Sequence, residues 1–296
     1  MYDVEIIGTG SYVPEYKVSN EDLAKIVATS DEWIRERTGI RERRISLEEN
    51  TADLAVKAAQ RALKDARVKP EEIDLIIVAT VTPDYFFPST ACLVQQRIGA
   101  VNAVSFDISA ACTGFIFGLS IAGQFLRTGM YKTALVLGEG VFSKITDWID
   151  RNTCVLFADG AGAAVVRRGE KGLIAEAIHS DGSGAAYLEC PAVPLQNKFC
   201  GTLTEKRPSY TLMNGREVFK FAVRILPEYI EKVLENTGYT LEDLKYIIPH
   251  QANTRIVAAA AKKLGVDQAK FYVNIQYYGN TSGASIPLAL DEMSRQ

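Results

Sequence analysis

The sequence predicts an α/β fold, because short apolar runs of strand length alternate with longer segments of helical period. Three runs in the first half predict largely parallel strands, and the segments near them predict helices. The predicted strands are 74–79, 104–108 and 133–138, and the predicted helices are 51–67, 89–99 and 112–128. The stretch FADGAGAAVVRRG closes this half, and its Asp-Gly pair predicts a tight turn before a short strand.

The second half repeats the alternation after a segment of poor periodicity. We expect a strand from Lys171 and then an irregular crossover up to Thr211, because this stretch holds three prolines. The elements expected after it are a helix at 215–236, a strand at 245–248, a helix at 253–264, a strand at 271–275 and a helix at 284–294. The economical interpretation is a duplicated α/β architecture with halves 1–170 and 171–296.

Composition restricts the class of function. The chain has 296 residues, 47% hydrophobic and 23% charged, which is typical of a soluble globular protein. Its formal net charge of -3 provides no basic field for nucleic-acid binding. The N-terminus MYDVEIIGTG lacks a signal-peptide pattern, and no apolar run approaches the roughly 18 residues of a spanning helix. We expect a cytosolic protein.

The cysteines favour neither a disulfide framework nor a zinc site. They are odd in number and show no CxxC spacing or clustering with histidine. The five are Cys92, Cys112, Cys154, Cys190 and Cys200. At least one thiol is therefore free.

Three polar side chains occupy the same predicted position, between a strand and the helix that follows it. Cys112 lies in AACTG, His250 in PHQAN and Asn280 in YGNTSG. A helix start favours a thiolate over the thiol, whose ordinary pKa is roughly 8.5. Ligands bind beyond the carboxyl ends of strands in open α/β sheets, so the three side chains are expected to converge. Taken singly, each has a structural explanation: a buried hydrophobe, a satisfied histidine and a turn or cap asparagine. The other histidine, His179, is assigned to a turn.

Several motifs together resemble one family. They are DEWIRERTGIRERR, TPDYFFPSTA, SAACTGF, DWIDRNTCVLFADGAGA, MNGREVFKFAV, PHQANTRI and YGNTSGASIP. In this order and spacing, the chain resembles β-ketoacyl-acyl carrier protein synthase III, the initiating condensing enzyme of type II fatty acid synthesis in the thiolase superfamily. The resemblance implies a duplicated thiolase-like fold of two stacked halves, a homodimer, and Cys112, His250 and Asn280 as the catalytic residues.

The resemblance also implies the reaction. The Cys112 thiolate takes an acyl group from acyl-coenzyme A, which is a substrate, so no cofactor and no metal are expected. Malonyl-acyl carrier protein then loses carbon dioxide. The resulting enolate is stabilised by N–H donors of His250 and Asn280 and attacks the acyl-cysteine.

Substrate-binding residues follow from matching positions. Trp33 and Arg37 would flank the coenzyme A adenine and phosphates with Arg151 nearby. The pantetheine path and neighbouring substrate site would comprise Met213, Asn214, Gly215, Phe219 and Asn253. Phe87 would reach across the dimer to close the acyl pocket. Without the resemblance, Trp33 and Arg37 fit an ordinary amphipathic helix equally well.

A basic helix face lies next to His250. Arg255, Lys262 and Lys263 share one face because they are seven and eight residues apart. An acidic carrier protein could dock there by charge complementarity. The alternative is a solvated helix face, which is the usual role of a charged stripe.

Other functions remain open from the residues. A papain-like hydrolase also uses Cys, His and Asn in this order, although its flanking residues differ. A non-catalytic acyl-binding module and related synthases of polyketide or 3-hydroxy-3-methylglutaryl type are further alternatives. Family members normally continue beyond Gln296 with two strands and a Gly-Gly-Gly turn that supplies a donor to the thioester oxygen. We therefore expect weaker acylation and lower stability than in a chain carrying that tail.

Overall fold

The computed structural model describes residues 3–195, 197–199 and 209–296. The strands are β1 Asp3–Tyr12, β2 Lys17–Ser19, β3 Glu42–Arg44, β4 Leu75–Ala79, β5 Val104–Ile108, β6 Thr133–Val141, β7 Asp159–Gly169, β8 Leu188–Glu189 and β9 Leu212–Met213. The helices are α1 Asn20–Leu23, α2 Asp31–Thr38, α3 Thr51–Ala66, α4 Thr90–Ile98, α5 Gly114–Arg127, α6 Arg151–Cys154, α7 Gly215–Leu234, α8 Thr254–Leu264, α9 Ile275–Tyr278 and α10 Ser285–Ser294. The α/β prediction is confirmed, and the three predicted strands of the first half match β4, β5 and β6.

A five-stranded mixed sheet organises the first half, in the order β1-β7-β6-β4-β5. β4 pairs in parallel with both β5 and β6, whereas β7 pairs antiparallel with both β6 and β1. β1, β4, β5 and β6 therefore run in the same direction, as the prediction of largely parallel strands expects, and β7 runs against them. The single-turn helix α6 is the only α-helix between β6 and β7, so β7 turns back beside β6 without a long crossover helix.

Two apolar layers sandwich this sheet. Side chains of α3 and α4 pack on one face, with Leu135 and Leu137 of β6 contributing from the sheet. α5 packs on the other face, against Val136 of the same strand. Because neighbouring strand residues point to opposite faces, one apolar run supplies both layers.

The glycines of β7 permit close packing and do not form the predicted turn. β7 starts at Asp159 and runs for 11 residues, so the prediction of a tight turn before a short strand was wrong. A Cβ on Gly162 would lie 2.8 Å from the backbone nitrogen of Leu288 in α10. The hydroxyls of Thr9 and Ser11 in β1 donate to the Asp291 carboxylate at 2.8 and 2.6 Å. Glycine therefore lets α10 sit directly on the strand, and the carboxylate fixes it there.

The second half contains the predicted helices, but the predicted strands are absent among the described residues. α7 and α8 bury an apolar cluster that includes Leu226, Ile230 and Val257. The predicted strands at 245–248 and 271–275 reduce to one parallel bridge between Ile247 and Phe271. Residues 171–187 form no strand either, and the first strand after Lys171 is the two-residue β8. Among the described residues, no neighbouring strand forms a continuous row of backbone hydrogen bonds with the segments 245–248 and 271–275. Their apolar sequence alone is therefore not enough to make them strands. The division of the chain into halves at residue 170 remains a prediction.

Within 3–195, 197–199 and 209–296, no helix combines the length and apolar character that a bilayer span demands.

Candidate active site

Cys112 lies in the short connection between a strand of the sheet and the helix that follows it. β5 ends at Ile108, a 3-10 turn spans Ala111–Thr113, and α5 begins at Gly114. The position predicted from sequence is confirmed, although the regular α-helix starts two residues after the cysteine. Ala111 has a φ of 44°, which is unusual for a residue with a side chain. The backbone is thus bent sharply just before a partly exposed thiol.

His250 lies in a loop that a buried glutamine holds in place. The Gln251 side-chain oxygen accepts hydrogen bonds from the backbone N–H groups of Asn274 and Ile275, at 2.8 and 3.0 Å. Its amide nitrogen donates to the Tyr272 carbonyl at 3.1 Å. The helix α8 follows, and Asn253 caps it by accepting from the Arg255 N–H at 2.8 Å. The side-chain amides of Gln251 and Asn253 therefore fix the part of the loop that follows His250.

Asn280 is buried and tied to the segment that precedes β7. Its backbone N–H donates to the Leu156 carbonyl at 2.9 Å, and its carbonyl accepts from the Ala158 N–H at 3.0 Å. The side-chain oxygen accepts from the Ser282 N–H at 2.9 Å. Because that bond fixes the oxygen, the amide nitrogen is the end left to donate.

Ser282 joins the asparagine to the cysteine. Its hydroxyl oxygen lies 3.4 Å from the Cys112 sulfur, while its N–H holds Asn280. The loop around Gly283 makes this approach possible, since a Cβ there would stand 3.1 Å from the Ala111 carbonyl oxygen. The predicted convergence of cysteine and asparagine loops is therefore a contact between two tight turns.

The thiol and the imidazole of His250 favour each other's charged forms. Burial opposes ionisation of Cys112, but the neighbouring His250 charge and hydrogen bonds from His250 and Ser282 outweigh it and lower the thiol pKa to about 7. Burial likewise opposes the charged imidazole, but the Cys112 charge raises the pKa of His250 overall. The His250 Nδ1 atom is buried without a hydrogen-bond partner among the described residues.

A basic and aromatic patch covers the surface formed by α2 and α6. The guanidinium groups of Arg37 and Arg151 each lie 4.6 Å from the centre of the Trp33 ring. Arg151 also donates to the Ala28 carbonyl at 3.0 Å, which holds it over the ring. α2 and α8 are in contact: a Cβ on Gly39, just after α2, would clash with Thr254. The patch thus adjoins the helix that follows the histidine loop.

The other predicted substrate-binding positions lie around the start of α7. Asn214 caps this helix by accepting from the Glu217 N–H at 3.3 Å, and Gly215 is its first residue. Met213 ends β9 immediately before them. Farther along the helix, the Phe219 ring lies 5.2 Å from the guanidinium of Arg255 on α8. The structure therefore links the predicted pantetheine residues to the predicted docking helix.

The predicted docking residues share an exposed face. Arg255, Lys262 and Lys263 are exposed, whereas the opposite side of α8 is buried. Phe87 is 86% exposed.

The remaining candidates stay outside the site. Cys92, Cys154 and Cys190 are free thiols like Cys112, and Cys200 lies outside the described residues. The exposed ring of His179 stacks on Tyr229, with the ring centres 6.5 Å apart.

Sequence reasoning missed one charged residue beneath the site. Arg43 is fully buried and donates to the Val155 carbonyl at 2.9 Å and to the Asn20 side-chain oxygen at 2.9 Å. Burial lowers the pKa of Arg43 to about 10. A Cβ on Gly279 would lie 3.1 Å from the Arg43 Cβ, so the arginine supports the asparagine turn. The run RERR carries no signal of this, because arginine is ordinarily exposed.

The described part of the chain offers no cluster of metal-ligating side chains. Residues 3–195, 197–199 and 209–296 contain no group of three or more His, Cys, Asp or Glu side chains that could hold an ion.

Comparison with known proteins decides the family. Two family models match, "3-Oxoacyl-[acyl-carrier-protein (ACP)] synthase III" over residues 106–182 and the C-terminal model of the same family over 234–296. A Clostridium acetobutylicum protein named beta-ketoacyl-[acyl-carrier-protein] synthase III is 60% identical, and the alignment covers 100% of this chain and 91% of that protein. The chain belongs to the β-ketoacyl-acyl carrier protein synthase III family.

Solved structures agree with this family. The 3-oxoacyl-[acyl-carrier-protein] synthase III of Aquifex aeolicus is 49% identical, with a TM-score of 0.91, and the match covers 99% of this chain and 91% of that one. The priming β-ketosynthase of the R1128 polyketide pathway is 36% identical, with a TM-score of 0.92, and the match covers 100% of this chain and 88% of that one. This synthase III chain is therefore a thiolase-like acyltransferase that carries out a condensation initiating fatty acid synthesis. The papain-like alternative is not supported.

Proposed function

We propose that the chain transfers an acyl group from acyl-coenzyme A to Cys112 and then condenses it with malonyl-acyl carrier protein. The observation that carries this proposal is the junction at Ser282, which touches the Cys112 sulfur at 3.4 Å and holds the Asn280 side chain at 2.9 Å. Ser282 therefore contacts both the proposed nucleophile, Cys112, and the proposed amide donor, Asn280. His250 faces the same sulfur.

The first half-reaction uses the thiolate and the charged imidazole together. The Cys112 sulfur forms a bond to the thioester carbonyl carbon, and the bond from that carbon to the coenzyme A sulfur breaks. The departing thiolate takes the proton that His250 carries. This leaves an acyl-cysteine, free coenzyme A and a neutral imidazole.

The second half-reaction uses two neutral donors. Malonyl-acyl carrier protein loses carbon dioxide, and the electron pair of the broken bond forms a thioester enolate. Its oxygen accepts hydrogen bonds from the His250 ring N–H and the Asn280 amide N–H, and each such donor is worth on the order of 10² to 10³ in rate. The enolate carbon attacks the acyl carbonyl and Cys112 leaves as thiolate. One proton from solvent restores the charged imidazole.

We expect this reaction to be measurable directly. The protein should gain the mass of the acyl group after mixing with acetyl- or isobutyryl-coenzyme A, and adding malonyl-acyl carrier protein should yield a β-ketoacyl carrier protein and remove that mass. Intact-mass spectrometry follows both species. Acyl-coenzyme A consumption that yields only the free acid, with no new carbon–carbon bond, would contradict the proposal. Comparing primers of increasing length would separate a fatty acid enzyme from a polyketide-priming one.

The coenzyme A nucleotide is proposed to bind at the Trp33 patch. Two guanidinium groups at 4.6 Å from an indole provide a flat aromatic surface beside two fixed positive charges. Adenine stacks on such a surface, and phosphates pair with arginine. The pantetheine arm would then pass Met213, Asn214, Gly215, Phe219 and Asn253 towards Cys112.

Replacing Trp33 with alanine should raise the KM for acyl-coenzyme A about tenfold and leave kcat nearly unchanged, because the lost contact is remote from the reacting atoms. Steady-state kinetics with acyl-coenzyme A and with acyl-pantetheine, which lacks the nucleotide, provides the measurement. The pantetheine substrate should show no change. Trp33→Phe is the matched control, since it retains an aromatic ring beside the arginines. An equal loss with both substrates would argue against nucleotide binding here.

Carrier-protein docking is proposed for the exposed face of α8. Arg255, Lys262 and Lys263 are exposed beside the histidine loop, and Arg255 approaches Phe219 of the proposed pantetheine path. A carrier protein that lays its acidic surface there would point its phosphopantetheine arm at His250.

A homodimer is proposed from an unpaired sheet edge and an exposed aromatic loop. β5 is an outer strand of the sheet, and Val104 on it is 48% exposed. Tyr85, Phe86 and Phe87 are 60%, 80% and 86% exposed, respectively. Contiguous exposed aromatic residues beside an open edge strand are typical of a protein–protein interface. Phe87 would then close the acyl pocket of the partner subunit.

A further inference from the structure

We propose that Ser282 is a further catalytic residue, whose hydroxyl donates a hydrogen bond to the Cys112 thiolate. This inference rests on the proposed role of Cys112 as the nucleophile. It assigns stabilisation of the Cys112 thiolate to the hydroxyl, and positioning of the Asn280 side chain to the backbone N–H of the same residue. The two functions of Ser282 can therefore be separated by mutation.

The contact geometry carries the proposal. The Ser282 oxygen lies 3.4 Å from the Cys112 sulfur, within hydrogen-bond distance for sulfur. Ser282 is only 1% exposed, so bulk water does not compete for its hydroxyl. Within the described residues, that sulfur is the one hydrogen-bond partner of the hydroxyl. A hydroxyl can act as donor or acceptor, and next to an anionic sulfur it must donate.

The backbone of Ser282 is unusual at the same point. Its φ is 50°, in the left-handed region that costs a residue with a side chain free energy. Glycine would relieve that cost, yet the chain has serine here and glycine at the next position. Ala111, which precedes the cysteine, also has a positive φ of 44°. The hydroxyl and the thiol therefore meet where both turns, at Ala111 and at Ser282, have a strained backbone. Such strain is often found at functional sites.

The hydrogen bond stabilises sulfur whenever it bears negative charge. This occurs before attack on the thioester and again when the carbon–sulfur bond of the acyl-enzyme breaks. The hydroxyl keeps its proton throughout, because the proton passed to the departing coenzyme A comes from His250. Of the ionisable groups in the described residues, His250 is the one that lowers the Cys112 pKa, beside uncharged contributions from Ser282 and the Cys112 backbone.

Alkylation of Cys112 by iodoacetamide tests the contact without any substrate. The reaction needs the thiolate, so its rate rises with pH through the thiol pKa, which is lowered to about 7 in the native protein. Removing a donor to the charged form raises that midpoint. Ser282→Ala should move it up by about one pH unit and slow alkylation about tenfold below it. Mass spectrometry of the peptide carrying Cys112 distinguishes this thiol from the other cysteines.

Two further variants separate the hydroxyl from the fold. Ser282→Gly removes the hydroxyl and relieves the strained φ, so it should fold at least as well and show the same upward shift. Ser285→Ala is the matched control, because Ser285 is a buried serine at the start of α10, three residues farther along, and its hydroxyl lies 3.2 Å from the Thr281 hydroxyl. It should leave the midpoint unchanged.

Specific outcomes would overturn the inference. An unchanged midpoint in both Ser282 variants would show that the hydroxyl does not stabilise the thiolate. An equal shift in Ser285→Ala would assign the effect to loop disturbance. Because the hydroxyl also stabilises the thiolate that leaves during condensation, Ser282→Ala should slow condensation from preformed acyl-enzyme as well. Failure of the overall condensation assay in the native protein would count against the proposed function and leave the alkylation result interpretable.

Discussion

Replacing Cys112 with alanine is expected to abolish acyl-enzyme formation and to lower condensation turnover at least about 10³-fold, because no other group can hold the acyl intermediate. The measurement is intact mass after mixing with acyl-coenzyme A, followed by a turnover assay. The native protein should gain the acyl mass and the variant should not. Binding of coenzyme A should persist, since the Trp33 patch is unchanged.

A second thiol provides the control for this experiment. Cys190 is an exposed free cysteine, and Cys190→Ala should acylate and turn over at the native rate. Burial raises the pKa of its thiol, whereas the pKa of Cys112 is lowered to about 7. An acyl adduct that survives in Cys112→Ala and disappears in Cys190→Ala would reverse the assignment of the nucleophile.

Replacing Asn280 with alanine is expected to separate the two half-reactions. Acylation of Cys112 should continue at the native rate, whereas condensation should fall on the order of 10² to 10³-fold because one enolate donor is lost. Single-turnover measurements on preformed acyl-enzyme, with malonyl-acyl carrier protein added, report the second step alone. Decarboxylation of the malonyl group should fall with it.

Asn280→Asp is a more specific test, because aspartate has nearly the same shape as asparagine but lacks the amide N–H donor. The carboxylate retains an oxygen that can accept from the Ser282 N–H, as the native amide does at 2.9 Å. It replaces the amide donor by a second acceptor, so the turn survives while the enolate loses its partner. Condensation at the native rate in this variant would show that Asn280 acts only by shaping the loop.

The sequence predicted where the candidate site residues lie along the chain more directly than it predicted their contacts. Cys112, His250 and Asn280 were located by a local rule, a polar residue between an apolar run and a helix, and local rules survive folding. The partners of His250 and Asn280 were not predictable in this way. Gln251 bonds to residues 21 to 24 positions away, and a glutamine in a loop carries no sign of such a bond.

Strand prediction failed where pairing decides the outcome. Residues 104–108 became β5 as predicted, because β4 lies alongside and accepts a parallel register. Residues 245–248 have a similar apolar character, yet only Ile247 pairs, through a single bridge. An apolar run is necessary for a strand, but a neighbouring strand in register makes one. The role of Gly162 in β7 was misread for a related reason, since it is set by Leu288 of α10, which lies 126 residues farther along the chain.

The strained backbone angles and the unpaired ring nitrogen at the candidate active site limit the thermal stability of the protein. Ala111 and Ser282 hold backbone angles that disfavour folding, and the His250 Nδ1 atom is buried without a partner among the described residues. Each of these features lowers the stability of the folded protein, as is common where a site is shaped for its substrate. Selection of variants for heat resistance alone would therefore accumulate changes at these positions and return proteins that survive heating but no longer elongate an acyl chain.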